Sequence, residues 1–214
     1  RCTMTIRNGA GGRRAFHADV AFFEIMPPVQ ADASGISSTP AGREMPVVVD
    51  LTDCVVRGEA NLVRSDVAQP LRLAWRNGLL VTTERLIVTG GAVQPALHGE
   101  HMEIDLNHLT AVADQGLCLI SSSDDNAPHQ LTVEIRCENS ILASLPTMPL
   151  IHQLGRTSTE RLRGHFIFTG MHNFFEGLPA QRGGKLCWRI ESLPAESNGT
   201  ASSEDKMHFS EWRE

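Results

Sequence analysis

One pattern recurs along the chain: apolar and polar residues alternate, a small polar residue follows, and then comes a second apolar pair. It occupies 49–56, 73–80, 104–111 and 133–142. Alternation with a period of two is typical of a β-strand with one buried face. Strand patterns that return every 20–50 residues or so are typical of solenoids, in which each coil buries its apolar side chains against the next. The recurrence therefore predicts a coiled, all-β architecture.

The polar residue that ends the first strand of each repeat is Asp53, Asn77, His108 and then Asn139, at spacings of 24, 31 and 31 residues. Asn173 follows 34 residues later as the fifth candidate. Two interpretations are open for this column. It could coordinate a ligand or ion, or it could be a ladder of turn residues whose side chains bond nearby backbone groups. We favour the turn ladder.

Superposition of the repeats also predicts which residues stack on the inside of the coils. One internal column is expected to contain Leu51, Trp75, Leu106 and Ile135, and a second to contain Val49, Leu73, Ile104 and Val133. Each coil alone cannot bury these side chains, so the fold requires that coils stack about 4.8 Å apart.

The same superposition predicts the outward rows, which hold the candidate ligand-binding residues. Asp50, Ala74, Asp105 and Glu134 are expected to form one exposed row, with Arg72 and Glu103 in the neighbouring row. The candidate residues are therefore Asp50, Arg72, Asp105 and Glu134. An enzyme of this architecture would collect carboxylates and a basic residue in a groove there. The alternative, which we favour, is a solvated sheet face with charge pairs between coils.

The sequence predicts one β-helix domain over 1–193 and a separate tail over 194–214. The domain carries a long loop at 26–45, which is rich in Pro, Gly and Ser. The tail is polar and predicted to be flexible, with a short amphipathic segment in which Phe209 and Trp212 could share one helix face.

Composition and charge exclude several classes of function. The net charge of −6 argues against a nucleic-acid binder, which needs a basic face. No run approaches 18 apolar residues, so we expect no membrane insertion by this segment.

Metal and cofactor sites are not indicated either. The five cysteines show no CxxC spacing, which makes a thiolate metal site improbable and favours buried thiols. His98 and His101 are better explained as a solvated loop. Asp124 and Asp125 lack the spaced ligand series of a calcium loop. We expect no metal, no cofactor and no catalytic residues.

The stacked pattern over 46–190 resembles the right-handed parallel β-helix superfamily that includes the pectate lyases. The resemblance implies a right-handed solenoid of about five to six coils, followed by a short helical or disordered C-terminal tail. Polysaccharide-active members carry catalytic motifs that this chain lacks. It has the Asp124-Asp125 pair alone, and in 163–170 His165 replaces the nucleophilic Asp of the pectin methylesterases.

The chain also resembles β-helix regions of large planctomycete-type bacterial proteins, through 170–175, Cys187–Ile190 and the terminal Phe209 and Trp212. That resemblance implies an accessory or sensory segment. The sequence therefore predicts a non-catalytic solenoid scaffold or binding module, a fragment of a larger bacterial protein, with a protein or polysaccharide partner. The alternative is a divergent carbohydrate-active lyase or hydrolase. The compartment stays open, an extracytoplasmic location being one option.

Overall fold

The computed structural model describes residues 1–8, 17, 19–26, 46–96, 99–176, 186–193 and 202–208. Strands along the chain alternate between two sheets in a β-helix-like arrangement, as the sequence predicts. The first sheet, sheet A, contains β1 (Cys2–Ile6), β3 (Val47–Gly58), β5 (Leu71–Thr82), β7 (His101–Ala113), β9 (Thr132–Glu138), β10 (Ile141–Ala143), β12 (Phe166–Met171) and β13 (Phe174–Glu176). The second, sheet B, contains β2 (Ala21–Ile25), β4 (Asn61–Ser65), β6 (Ile87–Gly90), β8 (Cys118–Ser123), β11 (Ile151–Arg156), β14 (Leu186–Ser192) and β15 (Ser203–His208).

The coils stack in parallel register. Successive levels of sheet A run from β1 through β3, β5 and β7 to the broken pairs β9/β10 and β12/β13, which gives six levels in the described chain. Sheet B rises with them from β2 to β14, and all these pairings are parallel. Each strand thus satisfies its backbone groups on the coils above and below it.

The strands of sheet A bend at one residue with a positive φ. That residue is Asp53, Asn77, His108, Asn139 or His172, with φ between 50° and 56°. Asp, Asn and His enter this left-handed region more readily than other non-glycine residues. Each bend divides its level into a first and a second half, so the predicted corner is real.

The predicted inward columns agree with the structure for three levels and differ from it at the fourth. Leu51 pairs with Trp75 and Trp75 with Leu106, but Leu106 pairs with Cys137 rather than with Ile135. Ile135 instead continues the column of Val49, Leu73 and Ile104. The reason is the corner: a column residue must lie two positions before the bend, and Ile135 lies four before Asn139.

A short helix, α1 (Thr159–Gly164), lies between β11 and β12. The hydroxyl of Ser158 caps it by accepting a hydrogen bond from the Arg161 backbone N–H at 3.2 Å. Leu162 is fully buried, and the buried Gln153 side chain donates to the Leu162 carbonyl. Gln153 also accepts from the Trp188 indole N–H at 2.7 Å, so it ties the helix to sheet B.

The prediction of a helical or disordered tail is wrong for 203–208. These residues form β15, which pairs antiparallel with β14. Ion pairs of Asp205 with Arg163 and of Glu204 with Arg189 accompany this pairing. The strand forms because the upper edge of β14 offers backbone partners, which a polar sequence can use without an apolar pattern. The rest of the tail, with Phe209 and Trp212, lies outside the described residues, as does the loop over 27–45.

Connections of different lengths lie at the two ends of sheet B. The chain passes from sheet B to sheet A through 66–70, 91–100, 124–131 and 157–165. In the second to fourth levels it returns from sheet A to sheet B through shorter segments at 59–60, 83–86 and 114–117. The irregular spacing of the repeats therefore originates mainly at the corner from sheet B to sheet A.

Candidate functional site

The corner column is a structural ladder of exposed polar side chains. Register places Asp53, Asn77, His108, Asn139 and His172 at equivalent positions on successive levels. The Asn77 amide donates to the Asp53 carboxylate at 2.6 Å, which ties two levels together. In the part of the chain that the structure describes, no three His, Cys, Asp or Glu side chains converge as a metal site requires.

The fifth member of the column is His172, where the sequence analysis placed Asn173. Asn173 faces inward one residue past the bend, beside Ser140 in register. Its amide donates to the Cys137 carbonyl at 2.7 Å and accepts from the Ser140 backbone N–H at 3.0 Å. At this level the backbone-bonding role predicted for the column is therefore performed by the residue that follows it.

The candidate residues lie on the outer face of the first half of sheet A, which we call the polar face. Its register rows differ from the prediction at the fourth level. Asp50, Ala74 and Asp105 continue into Arg136, while Glu134 pairs with Glu103 and thus joins the row of Arg72. The predicted alignment of the fourth level is displaced by two residues here, as it is in the inward column, because the two faces of a strand share one register.

Arg136 is the centre of the charged contacts on the polar face. Its guanidinium lies 2.7 Å from a Glu134 carboxylate oxygen and 4.0 Å from Asp105. The hydrogen bond that Arg136 donates to Glu134, and the charges of Glu134, Asp105 and Glu103, raise the pKa of Arg136. A strand residue of the sheet thus gathers carboxylates from its own level and from the level below.

A shallow depression of about 170 Å³ opens beside Arg136. Its floor includes Ala74, whose small side chain leaves room between larger neighbours in the row. Polar groups of Arg76, Asn107 and Glu138 border it together with Asp105. Small-molecule sites commonly occupy 300–1,000 Å³ or so, so this depression is smaller than such a site.

The sequence candidates do not converge on one point. Asp105 and Glu134 both contact Arg136, but Asp50 lies two levels from Asp105, about 10 Å away at the usual strand spacing. Arg72 is level with Glu103 in the next row. Sequence reasoning missed Arg136, although counting back from Asn139 rather than aligning Ile135 would have placed it in the row.

The polar face presents carboxylates, guanidinium groups and amides, which are hydrogen-bond donors and acceptors along the sheet. A guanidinium that serves as a base must lose its proton, and the raised pKa of Arg136 opposes that loss.

The other sequence candidates have structural roles. Asp124 forms an ion pair with Arg161 at 2.9 Å, which joins its loop to α1. His165 ends α1, where its backbone N–H donates to the Leu162 carbonyl at 3.0 Å. His101 begins β7 as an exposed residue, and His98 lies outside the described residues.

Four of the five cysteines are buried: Cys54, Cys118, Cys137 and Cys187. Burial raises the pKa of Cys118 to about 12 and that of Cys137 to about 11. These thiols are therefore neutral, and a buried neutral thiol is a poor nucleophile. They pack as small apolar side chains.

Comparison of the chain with protein-family models, with curated proteins and with solved structures found no match. The class of the protein is therefore defined by its architecture, a parallel β-solenoid-like stack of two sheets. No helix in the described ranges is long and apolar enough to cross a bilayer.

Proposed function

We propose that the chain is a non-catalytic binding module of the right-handed, pectate-lyase-like β-helix type, part of a larger bacterial protein. The observation that carries this proposal is the arrangement at Arg136. Its guanidinium bonds Glu134 at 2.7 Å and has Asp105 at 4.0 Å, so it joins carboxylates of two neighbouring levels into one polar cluster.

Register supports an extended partner. The strands β5, β7 and β9 lie side by side about 4.8 Å apart, and each presents a line of outward side chains that includes hydrogen-bond donors and acceptors. A polysaccharide or an extended polypeptide repeats its polar groups along its length and can contact several rows at once. Because the depression is only about 170 Å³, such a partner lies on the face rather than inside it.

The alternative function is that of a divergent carbohydrate-active β-helix. One observation favours it: a guanidinium surrounded by carboxylates on the outer face of a parallel sheet has the residue types that a lyase uses. Arg136 would have to act as the base, and its raised pKa argues against that role.

A combined binding and turnover screen separates the two functions. The protein is tested on immobilised neutral and uronate-containing polysaccharides, and each soluble polysaccharide is assayed for chain cleavage. We expect retention without cleavage, weakened severalfold by Asp105→Ala and by Arg136→Ala but not by Glu160→Ala, a substitution on the exposed face of α1. Cleavage that Asp105→Ala abolishes would establish the alternative.

A further inference from the structure

A second pocket lies on the outer face of sheet B, away from the polar face. Its volume is about 230 Å³. Its wall is partly apolar, from Val88 and Leu119, which stack on each other in register. Its charged lining includes Glu84 and Arg85, which precede β6 at the corner from sheet A.

Arg85 is a buried cation with few partners. Its side chain and backbone together are 9% exposed, and its Nη1 donates to the Gln115 carbonyl at 3.0 Å. Within the described part of the chain, no carboxylate comes within 4.0 Å of its guanidinium. Burial lowers the pKa of Arg85 by more than the nearby charge of Glu84 raises it, so the loss of water around the guanidinium is only partly offset.

Glu84, the neighbour of Arg85 in sequence, is a half-buried anion that also lacks an ion pair among the described residues. Burial raises the pKa of its carboxyl group despite the charge of Arg85. Among the residues that the structure describes, no Lys, Arg or His nitrogen lies within 4.0 Å of that carboxylate. The two opposite charges line one pocket and do not pair with each other.

The remaining charges of the wall are already matched. Arg64 contacts Asp19 at 2.6 Å and Asp66 at 2.8 Å. It therefore closes one side of the pocket and leaves its donors occupied. Among the described residues of the pocket wall, the charged groups without an ion pair within 4.0 Å are one guanidinium and one carboxylate, and they lie beside an apolar surface.

The geometry points to a binding site for a small zwitterion of the α-amino-acid class. The ligand carboxylate would pair with Arg85, whose planar fork matches a carboxylate in bidentate fashion. The ligand ammonium would pair with Glu84, and a short apolar side chain would contact Val88 and Leu119. One neutral ligand then supplies both missing counter-charges.

The volume limits the size of the ligand. Liquid water occupies about 30 Å³ per molecule, so 230 Å³ corresponds to roughly eight water molecules. The space is smaller than the roughly 300–1,000 Å³ of common small-molecule sites, so we expect a small amino acid such as alanine or valine as the ligand.

Thermal unfolding with and without ligand tests the inference. Alanine and valine are compared with propionate and with ethylamine, each of which carries one of the two charges, at equal concentrations and ionic strength. We expect the amino acids to raise Tm by mass action and the single-charge compounds to have no such effect. An equal shift with propionate, or no shift with any amino acid at tens of millimolar, would overturn it.

Two variants locate the site. Glu84→Gln should weaken binding about tenfold, the effect of losing one charged hydrogen bond. Asp125→Asn, in an exposed loop outside the pocket lining, should not change it. Arg85→Lys should weaken binding as well. Because Glu84 is half-buried and its side chain forms no hydrogen bond or ion pair with another described residue, its variant keeps the test valid if the Arg85 variant fails to fold. Unchanged affinity in Glu84→Gln would contradict the assignment.

Discussion

Gly78 lies directly against the indole ring of Trp75 on the inside of the coil. A Cβ built at Gly78 would fall 2.6 Å from Trp75 Cε2 and would overlap the indole nitrogen. Trp75 is fully buried at the centre of the stack. The chain can therefore place a tryptophan at this corner only because the residue after the bend has no side chain.

Gly78→Ala should lower the free energy of unfolding by about 1–3 kcal/mol or more, since the indole must move within a packed core. Gly164→Ala is the matched control, because a Cβ there meets nothing within 4 Å. It should leave stability unchanged or raise it by up to about 1 kcal/mol through higher helix propensity. Urea denaturation measures both, and equal stability of the two variants would contradict the packing argument.

The corner column predicts a side-chain preference at its middle position. His108 has a φ of 53°, a conformation that penalises β-branched residues most strongly. His108→Val should cost about 1–2 kcal/mol, whereas His108→Gly should cost less because glycine adopts this φ freely. The control is Thr110→Val, two residues further in the same strand with ordinary extended backbone. If all three variants unfold at the same urea concentration, the corner imposes no backbone constraint.

Asn173 provides a test of the internal hydrogen bonds at the corner. Asn173→Ala removes the partner of the Cys137 carbonyl and of the Ser140 N–H. Leaving these groups unpaired in a part-buried site should cost about 1–3 kcal/mol. Asn126→Ala is the control, because that residue uses its backbone N–H in its loop contact with Ser123. A loss below about half a kcal/mol would show that water replaces the Asn173 side chain.

Two part-buried histidines predict loss of stability in mild acid. Burial lowers the pKa of His152 below 6.5, although Glu191 lies 3.5 Å away and opposes the shift, and Arg85 and Arg189 add to it. Burial, with the charge of Arg161, also lowers the pKa of His165.

The unfolded chain therefore takes up protons at these positions at a higher pH than the folded chain does. The stabilisation is complete above about pH 6.5 and falls as the pH is lowered from there. Denaturation at pH 7.5 and 5.5 should show a smaller loss in the His152→Gln, His165→Gln double variant than in wild type. The exposed His101→Gln should behave as wild type, and a double variant with an undiminished loss would refute the assignment.

Sequence reasoning predicted the strands and the corner because both have local causes. Alternation defines a buried face, and Asp53, Asn77 and His108 mark the bend by residue type. The predicted register of the fourth level is wrong because an alternating pattern fits equally well after a shift of two residues. Ile135 and Cys137 are both apolar and both face inward. The bend at Asn139 resolves that ambiguity, and it carries Arg136 into the row of Asp105.

Other features of the candidate sites could not be predicted, because their causes are not local. The residues of β15 show no strand pattern and form a strand through the edge of β14. The pocket beside Arg85 depends on Leu119 and Gln115, which come from the next coil. Nothing in the sequence around Glu84 and Arg85 indicates that these neighbours will be buried without pairing.

The connections from sheet B to sheet A have one further consequence, which concerns how such a chain can change length. The bends stay in register although 24, 31, 31 and 33 residues separate them, since the extra residues leave the stack mainly at that corner. Lengthening a loop costs little entropy, about 0.6 kcal/mol for each doubling. Insertions at the exposed residues 93–95 should thus be nearly neutral, while a single inserted residue within β5 or β7 would shift the following side chains of that strand to the opposite face. We therefore expect the loops from sheet B to sheet A to tolerate changes in length that the strands do not tolerate.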